Sequence, residues 1–303
     1  MKPPRFAYHD PRSLDEALAL LAEHGDDGKA LAGGQSLVPL LNFRLAQPEH
    51  LIDLNRIGAL AGITRRAGRL HIGTMTRQST LEHSALVRDG WPLLTEALTY
   101  VAHAQIRNRG TVGGSVAHAD PAAELPVAFN ALDARFRVAS RRGERTVAAA
   151  DFFVTHLTTA LEADEALVEI EVPPTPAGTG HAFTEYARRH GDFALGGAAA
   201  LVTVDESGTC TRAALALLAA GPTPARAPEA ERALVGAGVD AQAATEAAAR
   251  ATAEIHPTGD IHGSGEYRRD LVEVMVRRAI ELANERAVST REAGRSANGA
   301  SGG

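Results

Sequence analysis

Two short segments of the 303-residue chain combine paired glycines with a hydroxyl residue, a composition that suits phosphate binding. Motif 1, AGGQS, runs from Ala32 to Ser36, and motif 2, TVGGS, runs from Thr111 to Ser115. Glycines let the backbone approach a ligand closely, and successive N–H groups can point at phosphate oxygens. We predict that the two motifs bind one diphosphate from opposite sides. The alternative is two unrelated turns, with Ser36 capping the next helix.

The start of the chain is predicted to place motif 1 between a strand and a helix. Residues 13–16, SLDE, form a capping box, and apolar residues at helical spacing extend this first helix to about His24, before Gly25. Strands are predicted at 29–32 and 51–54, with a helix at 36–43 between them. Motif 1 therefore lies at the strand-to-helix junction of a βαβ-like unit, where anions commonly bind.

Motif 2 is predicted to be a glycine-rich loop that separates two helices. Its paired glycines and flanking polar residues favour a loop over a regular element. The elements predicted around it are a hairpin of residues 61–64 and 70–73, helices at 91–102 and 121–132, a hairpin of residues 135–139 and 144–147, and a strand at 165–172.

A cluster of prolines and glycines at residues 173–180 predicts a domain boundary near residue 177. Residues 178–287 are predicted to form a smaller α+β domain. Its predicted elements are a meander of strands at 182–188, 198–204 and 210–218, followed by helices at 228–235, 241–252 and 267–286. Residues 288–303 are rich in small and polar residues and are predicted to be a disordered tail.

Composition excludes several functional classes. The net charge of −6 and the aromatic content of 4% argue against nucleic-acid binding. No segment approaches the about 20 apolar residues of a membrane span, so a cytoplasmic protein without a membrane span is expected. Cys210 is the only cysteine, which excludes an intrachain disulfide and an iron–sulfur cluster held by about four thiolates of this chain. The histidine spacings match no zinc motif, so no metal ligand is predicted.

Other polar residues near the motifs leave alternatives open. Arg107 and Arg109 precede motif 2 and could assist phosphate binding, contact a neighbouring subunit, or be solvated surface charge. Glu124 opens a predicted helix and could bind a ribose hydroxyl or stabilise the helix N-terminus. His118 and Asp120 have no nucleophile arranged with them, so no catalytic residue is assigned.

Several segments, in this order and spacing, resemble the medium subunit of the carbon monoxide dehydrogenase type of molybdenum hydroxylases. The resemblance extends from about Phe6 to Ala287. The segments that carry it are AGGQSL with Pro39, LIDL at 51–54, QIRNRGTVGGS at 105–115, DPA at 120–122, and YRR at 267–269. It implies an α+β fold: an FAD-binding domain of the vanillyl-alcohol oxidase (PCMH) type over 1–177, with subdomains of about 1–55 and 56–177, and then the C-terminal domain.

The resemblance implies that both motifs bind the FAD diphosphate, that Glu124 faces the adenosine end, and that Leu167 lines the flavin. Three positions differ from the usual family residue. Ser115 replaces a frequent asparagine, Phe193 a frequent tyrosine, and Glu124 a frequent aspartate, so a tyrosine hydroxyl near the ring is lost. The predicted cofactor-binding residues are Ala32, Gly33, Gly34, Gln35, Ser36, Val101, Ile106, Thr111, Val112, Gly113, Gly114, Ser115, Glu124, Leu167, Asp192 and Phe193.

The resemblance also implies a role in electron transfer within a dimer of heterotrimers. A large partner would carry the molybdenum cofactor, a small partner two [2Fe-2S] clusters, and this chain the FAD that passes electrons to an external acceptor. The partner's substrate stays open among carbon monoxide, purines, N-heterocycles, aldehydes and aromatic thioesters, and the acceptor among quinone, NAD and oxygen. The alternatives are a self-contained FAD-dependent oxidoreductase that uses NAD(P)H or a small molecule directly, and a flavin-free scaffold.

Overall fold

The computed structural model describes the backbone of residues 2–300 and the side chains of residues 2–292. In chain order the helices are α1 (Leu14–His24), α2 (Leu37–Asn42), α3 (Gln78–Glu82), α4 (Ala85–Gly90), α5 (Pro92–Tyr100), α6 (Ala104–Arg107), α7 (Val112–His118), α8 (Glu124–Ala131), α9 (Ala149–Phe152), α10 (Pro228–Leu234), α11 (Ala241–Thr252) and α12 (Gly265–Ala300). The strands are β1 (Ala7–His9), β2 (Gly28–Leu31), β3 (His50–Asp53), β4 (Ile63–Arg66), β5 (Arg69–Gly73), β6 (Arg135–Ser140), β7 (Gly143–Ala148), β8 (Phe153–Thr155), β9 (Thr158–Thr159), β10 (Ala166–Val172), β11 (Thr179–Tyr186), β12 (Gly196–Val204), β13 (Cys210–Leu218) and β14 (Ala225–Arg226).

The chain folds into two compact units whose segments alternate along the sequence. Unit 1 comprises Met1–Val87, Ala102–Asp120 and Asp133–Pro173, and unit 2 comprises Arg88–Val101, Pro121–Leu132 and Pro174–Gly303. The chain passes from unit 1 to unit 2 for the last time after Pro173, close to the predicted boundary at residue 177. The segments 88–101 and 121–132, however, belong to unit 2, although both lie within the predicted first domain.

Unit 1 opens with the predicted βαβ unit. Strands β1, β3 and β2 form a parallel sheet in that order, and α2 connects β2 to β3. The capping box is confirmed at its N-terminal side, since the Ser13 hydroxyl accepts the Glu16 N–H at 3.2 Å. Leu18 and Leu21 of α1 pack with Ile52 of β3 in a buried cluster. Burial of this helix face stabilises the sheet that carries motif 1.

The second sheet of unit 1 has the order β4-β5-β10-β6-β7, and all its pairs are antiparallel. Both predicted hairpins are present. In the β4–β5 turn, Ala67 and Gly68 have φ angles of 48° and 80°, the left-handed conformations that a two-residue hairpin turn requires. Strand β10 lies at the centre, so Leu167 is buried in the sheet.

Unit 2 is a four-stranded antiparallel sheet in the order β11-β12-β13-β14, packed against helices. The predicted meander and the helices α10, α11 and α12 are present. A Cβ at Gly180 would lie 1.9 Å from the Ala283 carbonyl oxygen, so the backbone of β11 approaches α12 directly. Every residue of α8 is buried, and α8 contacts β13 and α5. This burial explains why the segments 88–101 and 121–132 group with unit 2.

Two predictions of local structure are corrected. Motif 2 is not a loop: Thr111 is the N-cap of α7, and residues 112–115 form its first turn. The predicted tail from residue 288 is helical as far as Ala300, since α12 is anchored by the buried Ala283 and Ala287 just before it, and Arg291 Nη1 donates to the Glu206 carbonyl at 3.4 Å. Residues 301–303 of the predicted tail lie outside the described residues. Among the described helices, none is long and apolar enough to cross a membrane.

Candidate functional site

Motif 1 connects β2 to α2 and leaves its backbone donors available. Gly34 has a φ of 74°, a conformation that favours glycine. Within the described chain, the backbone N–H groups of residues 33–36 donate to no protein acceptor, although Val38 N–H bonds the Gly34 carbonyl. Ser36 is the N-cap of α2, yet its hydroxyl accepts no capping hydrogen bond, so the capping alternative does not explain this residue. Four neighbouring N–H donors and one hydroxyl are thus open to an anion.

Motif 2 has a different hydrogen-bond arrangement. Val112 N–H donates to the Thr76 carbonyl at 2.9 Å, and Gly113 N–H donates to the Thr74 carbonyl at 2.8 Å. Gly114 N–H donates to Thr111 Oγ1 at 3.1 Å, and Ser115 N–H donates to the Thr111 carbonyl at 3.2 Å. The expectation that both motifs offer free N–H groups is therefore wrong for residues 112–115. Of the two hydroxyls in motif 2, that of Thr111 is buried in the cap of α7, and that of Ser115 is half-buried.

The two motifs lie side by side in unit 1. A Cβ at Gly33 would be 2.4 Å from the Arg109 carbonyl oxygen and 2.8 Å from the Gly110 Cα. A Cβ at Gly114 would be 2.6 Å from Thr111 Oγ1 and 3.3 Å from the Ala32 Cβ. Gly33 therefore allows main-chain contact between the segments, which no other residue type permits without movement.

A hydrogen-bond network that the sequence analysis missed holds this contact in place. Asn55 Nδ2 donates to the Ala32 carbonyl at 2.7 Å, and Arg77 Nη2 donates to Asn55 Oδ1 at 2.7 Å. Arg77 Nη1 donates to the Arg109 carbonyl at 2.5 Å. Asn55 and Arg77 thus connect the end of β2 with the segment before motif 2. Asn55 follows strand β3 in an Asx-type turn, which was the one sequence signal available for it.

The pKa shifts of Arg77 and Asp53 are consistent with this network as the anchor of motif 1. Burial lowers the pKa of Arg77, and the nearby charge of Arg109 lowers it further. Burial by itself would raise the pKa of Asp53, but hydrogen bonds from Tyr8 and Asn55 outweigh it and lower that pKa. Asp53 is therefore ionised at neutral pH, and its Oδ1 accepts the Asn55 N–H at 2.8 Å. An ionised Asp53 fixes the orientation of the Asn55 side chain.

Ile106 and Leu167, both predicted cofactor residues, lie next to motif 2. The Ile106 carbonyl accepts the Gly110 N–H at 2.7 Å and so closes the turn that leads into the motif. The Leu167 carbonyl accepts the Thr74 hydroxyl at 2.9 Å. A Cβ at Gly113 would be 2.3 Å from the Thr74 Cβ, so Thr74 connects Leu167 to motif 2.

One of the two arginines before motif 2 has a structural role. Arg107 Nε and Nη2 donate to the Glu82 carboxylate at 2.8 and 3.0 Å, a bidentate ion pair with both side chains largely buried. This pair fixes α6 against α3. Of the three interpretations of Arg107, the structure supports none, because the guanidinium is bound within the chain.

Four predicted cofactor residues belong to unit 2. Val101 is the buried C-cap of α5, and Glu124 is the buried first residue of α8. Asp192 and Phe193 lie in the turn between β11 and β12, where Phe193 is 75% exposed. Phe193 is therefore not a core residue of unit 2, and its exposed ring is available for contact with a ligand or partner.

Glu124 is paired with a second carboxylate that the sequence analysis did not single out. Burial, with a smaller repulsion from Glu124, raises the pKa of Glu185 to about 9. Its Oε2 atom is buried without a hydrogen-bond partner in the described chain. Glu185 is thus protonated at neutral pH, and unit 2 holds one neutral carboxyl beside Glu124.

The comparisons with known proteins decide the family. Residues 4–175 match the FAD binding domain in molybdopterin dehydrogenase, and residues 181–283 match the CO dehydrogenase flavoprotein C-terminal domain. The chain belongs to the FAD-binding medium subunits of the molybdenum hydroxylase family. The family, the α+β fold and the FAD cofactor implied by the resemblance are confirmed.

Relatives match this medium subunit over nearly its whole length. It is 45% identical to the 6-hydroxypseudooxynicotine dehydrogenase complex subunit alpha of Paenarthrobacter nicotinovorans, over 96% of this chain and 99% of the relative. It is 42% identical to the carbon monoxide dehydrogenase medium chain of Hydrogenophaga pseudoflava, over 93% of this chain and 98% of the relative. A carbon monoxide dehydrogenase structure from that organism superposes with a TM-score of 0.92 at 43% identity, covering 94% of this chain and 99% of that one. The predicted function as the FAD-carrying subunit of such complexes is confirmed.

The geometry of unit 1 fits an FAD diphosphate. Motif 1 offers the open N–H groups of residues 33–36, and the adjoining motif 2 offers the half-buried Ser115 hydroxyl, whereas Thr111 is buried and caps α7. A dianion lying across the motifs would accept hydrogen bonds from these donors. In the described chain, no protein group accepts hydrogen bonds from the N–H groups of residues 33–36. Glycine at position 33 allows the close contact between motif 1 and the segment before motif 2.

Replacement of Asn55 by alanine is expected to weaken FAD retention by about tenfold. The change removes the donor to the Ala32 carbonyl and the acceptor of Arg77, and a hydrogen bond that involves a charged group contributes about 1.5–3 kcal/mol. Flavin absorbance per chain after gel filtration measures the effect. Gln47→Ala, which removes an exposed amide bonded only to the Arg44 carbonyl, serves as the control. Equal flavin content in the two variants would disprove the anchoring role of Asn55.

Proposed function

We propose that this medium subunit works in a heterotrimer, with a small iron–sulfur subunit as electron donor and a large molybdenum-cofactor subunit as the site of substrate oxidation. Two heterotrimers would form the dimer that the family resemblance implies. The observation that carries the proposal is the row of open N–H donors in motif 1, held by Asn55 and Arg77, in a chain that aligns with whole medium chains of such enzymes.

We propose the same sixteen cofactor-binding residues that the sequence predicted, with different roles for the two motifs. Motif 1 binds the diphosphate through backbone N–H groups and motif 2 through the Ser115 hydroxyl, while the buried Thr111 caps the helix that carries Ser115. Ile106 and Leu167 hold motif 2 in place. Val101, Glu124, Asp192 and Phe193 of unit 2 complete the set, and their assignment rests on the family resemblance.

The chemistry that FAD supplies when bound is the conversion between one-electron and two-electron transfer. This chain contributes binding and orientation. Gly33 and Gly114 let the two motifs lie in contact, because a Cβ at either position would collide with the neighbouring segment or the helix cap. Asn55 and Arg77 fix the backbone whose N–H groups face the anion. No side chain of the site is assigned to proton transfer, so no catalytic acid or base is proposed.

The substrate of the complex is set by the molybdenum subunit. Relatives of this chain include subunits of enzymes named for 6-hydroxypseudooxynicotine, caffeine and carbon monoxide, which differ widely in size and polarity. The medium subunit can therefore serve different substrates without change of fold. Activity assays with N-heterocycles, purines, aldehydes and carbon monoxide as substrates, and with quinone, NAD and oxygen as acceptors, would identify the substrate and the electron acceptor of the complex.

An exposed apolar segment beside motif 1 supports a docking site for the iron–sulfur subunit. Phe43 is 61% exposed and Leu45 is 76% exposed, immediately after α2, which itself begins one residue after motif 1. Adjacent large apolar side chains in water are typical of interfaces. Electrons must enter near the bound flavin, so the subunit that holds the iron–sulfur clusters is the partner proposed for this segment.

Replacement of Phe43 and Leu45 together by serine is expected to reduce co-purifying iron by tenfold or more, since removal of a central interface side chain costs about 2 kcal/mol or more. The flavin content per chain should stay unchanged. Ile261→Ser, at an exposed apolar residue of unit 2, is the control. Iron retention equal to that of the wild type would refute this docking site.

The experiment that tests the assembly is purification from the native host through a tag on this chain, with quantification of flavin, iron and molybdenum. Flavin, iron and molybdenum in constant ratio would support the heterotrimer. Flavin on a lone chain that oxidises NAD(P)H would favour the self-contained oxidoreductase, and a colourless chain would favour the scaffold.

We place the complex in the cytoplasm. The buried, unpaired thiol of Cys210 is compatible with a reducing compartment. Cell fractionation with detection of this chain tests the assignment, and recovery in the periplasmic or extracellular fraction would contradict it.

A further inference from the structure

Three histidines that lie far apart in the sequence meet at one end of the first sheet. His9 ends β1, His24 ends α1 and His50 begins β3. One nitrogen from each ring lies within 4.8 Å of the other two. No metal ligand is predicted from the sequence, because the spacing of these residues matches no zinc motif and the fold alone brings them together.

The contacts within this cluster leave one nitrogen without a partner. His9 Nε2 lies 3.0 Å from His50 Nδ1, a distance at which one ring can donate to the other. The His24 and His50 rings are stacked, with centroids 3.6 Å apart and planes 7° from parallel. His24 Nε2 is buried and has no hydrogen-bond partner in the described chain. A buried nitrogen without a partner is unfavourable unless a ligand satisfies it.

We propose that His9, His24 and His50 form a binding site for a divalent transition-metal ion of the zinc class. Neutral imidazole is a common ligand of zinc, copper, cobalt and nickel. Three histidines with a fourth position left to water form a known coordination pattern. The cluster has no carboxylate or thiolate member, so the hard cations calcium and magnesium, which prefer oxygen ligands, are disfavoured.

Metal binding requires a local change in the histidine stack. A lone pair on an imidazole nitrogen lies in the ring plane, so the parallel rings of His24 and His50 cannot both point at one ion. One of them must turn out of the stack to bring its nitrogen to about 2.0–2.1 Å from the metal. The terminal torsion of histidine is broad, so this rotation needs no backbone movement.

The site is separate from the FAD site but lies on the same sheet. In the β2–β3 pairing, His50 is opposite Gly28, whereas Asp53 is opposite Leu31, next to motif 1. Three residues of strand separate the two ends, which corresponds to about 10 Å. A bound ion would link β1, β3 and the end of α1, and would therefore stabilise the sheet without contacting the flavin.

Titration of the untagged, chelator-treated, FAD-containing chain with Co²⁺ tests the proposal. The visible spectrum of Co²⁺ reports nitrogen ligation, and calorimetry gives the stoichiometry. We expect one equivalent per wild-type chain, displaced by Zn²⁺. His24→Ala and His50→Ala should each weaken binding by more than about tenfold, since even an outer-sphere partner of a metal ligand contributes about 10- to 100-fold.

Two further variants keep the test decisive. His24→Gln retains a polar side chain at the end of α1, so its loss of metal affinity would not reflect misfolding, and His83→Ala, at a histidine outside the cluster, should bind like the wild type. Flavin absorbance per chain should stay constant throughout, which separates this proposal from the proposed FAD site. Wild-type affinity no greater than that of His24→Gln would overturn the metal site and leave a stack of imidazole rings.

Discussion

Gly33→Ala is expected to lower the FAD affinity of the chain by at least about tenfold. A Cβ at this position would lie 2.4 Å from the Arg109 carbonyl oxygen and 2.8 Å from the Gly110 Cα, which are both backbone atoms. The two segments would have to move apart, and overpacking of this kind costs about 1–3 kcal/mol. Each 1.4 kcal/mol corresponds to about tenfold in affinity when the distortion falls on the binding motifs.

The matched control is Gly58→Ala, since a Cβ at Gly58 meets no atom within 4 Å. Flavin absorbance per chain and fluorescence titration of FAD into the apoprotein measure the affinity, and circular dichroism checks the fold. We expect the fold to persist in both variants, because the distortion at Gly33 is confined to the contact between the two motifs. Full FAD occupancy in Gly33→Ala would show that close contact of the motifs is not required for binding.

Elements specified by short-range signals could be predicted from the sequence. The Ser13 cap and the apolar spacing of α1 predict a helix with correct ends. The Ala67-Gly68 turn specifies the β4–β5 hairpin, because both residues adopt left-handed conformations. Motif 1 belongs to this group as well, since its glycines follow strand β2 and precede helix α2.

Features that depend on tertiary contacts could not be predicted. Motifs 1 and 2 have similar compositions, but in motif 2 the N–H groups of Val112 and Gly113 are taken by carbonyls of residues 74–76. No local pattern reveals those acceptors. Asn55 and Arg77 were missed for the same reason, since their partners lie 22 to 32 residues away along the chain.

The interleaving of the two units has a similar origin. Helix α8 is buried on all sides, and its contacts with α5 and β13 assign it to unit 2. The cluster of prolines and glycines at 173–180 indicates only where the chain passes from unit 1 to unit 2 for the last time. Local composition can indicate where the chain passes between the units. It cannot show that the earlier segments 88–101 and 121–132 pack with residues after 174.

Glu185→Gln is expected to stabilise the chain increasingly as the pH rises. The pKa of Glu185 is about 9 in the folded chain, against 4.5 for an ordinary glutamate. Below pH 4.5 the carboxyl is protonated in both the folded and the unfolded chain, so its ionisation does not change the free energy of unfolding. Between pH 4.5 and about 9 the unfolded chain releases the proton while the folded chain keeps it, so the free energy of unfolding falls by up to about 1.4 kcal/mol per pH unit.

The glutamine amide does not titrate, so the variant lacks this dependence. Urea unfolding at several pH values from 5 to 9 should give midpoints that coincide near pH 5 and diverge above it, with the variant more stable. Glu124→Gln should reduce the slope only in part, because repulsion from Glu124 is the smaller cause of the raised pKa after burial. Glu254→Gln, at an exposed residue of unit 2, should follow the wild type. Parallel curves for the wild type and Glu185→Gln across this range would mean that Glu185 ionises normally despite its burial.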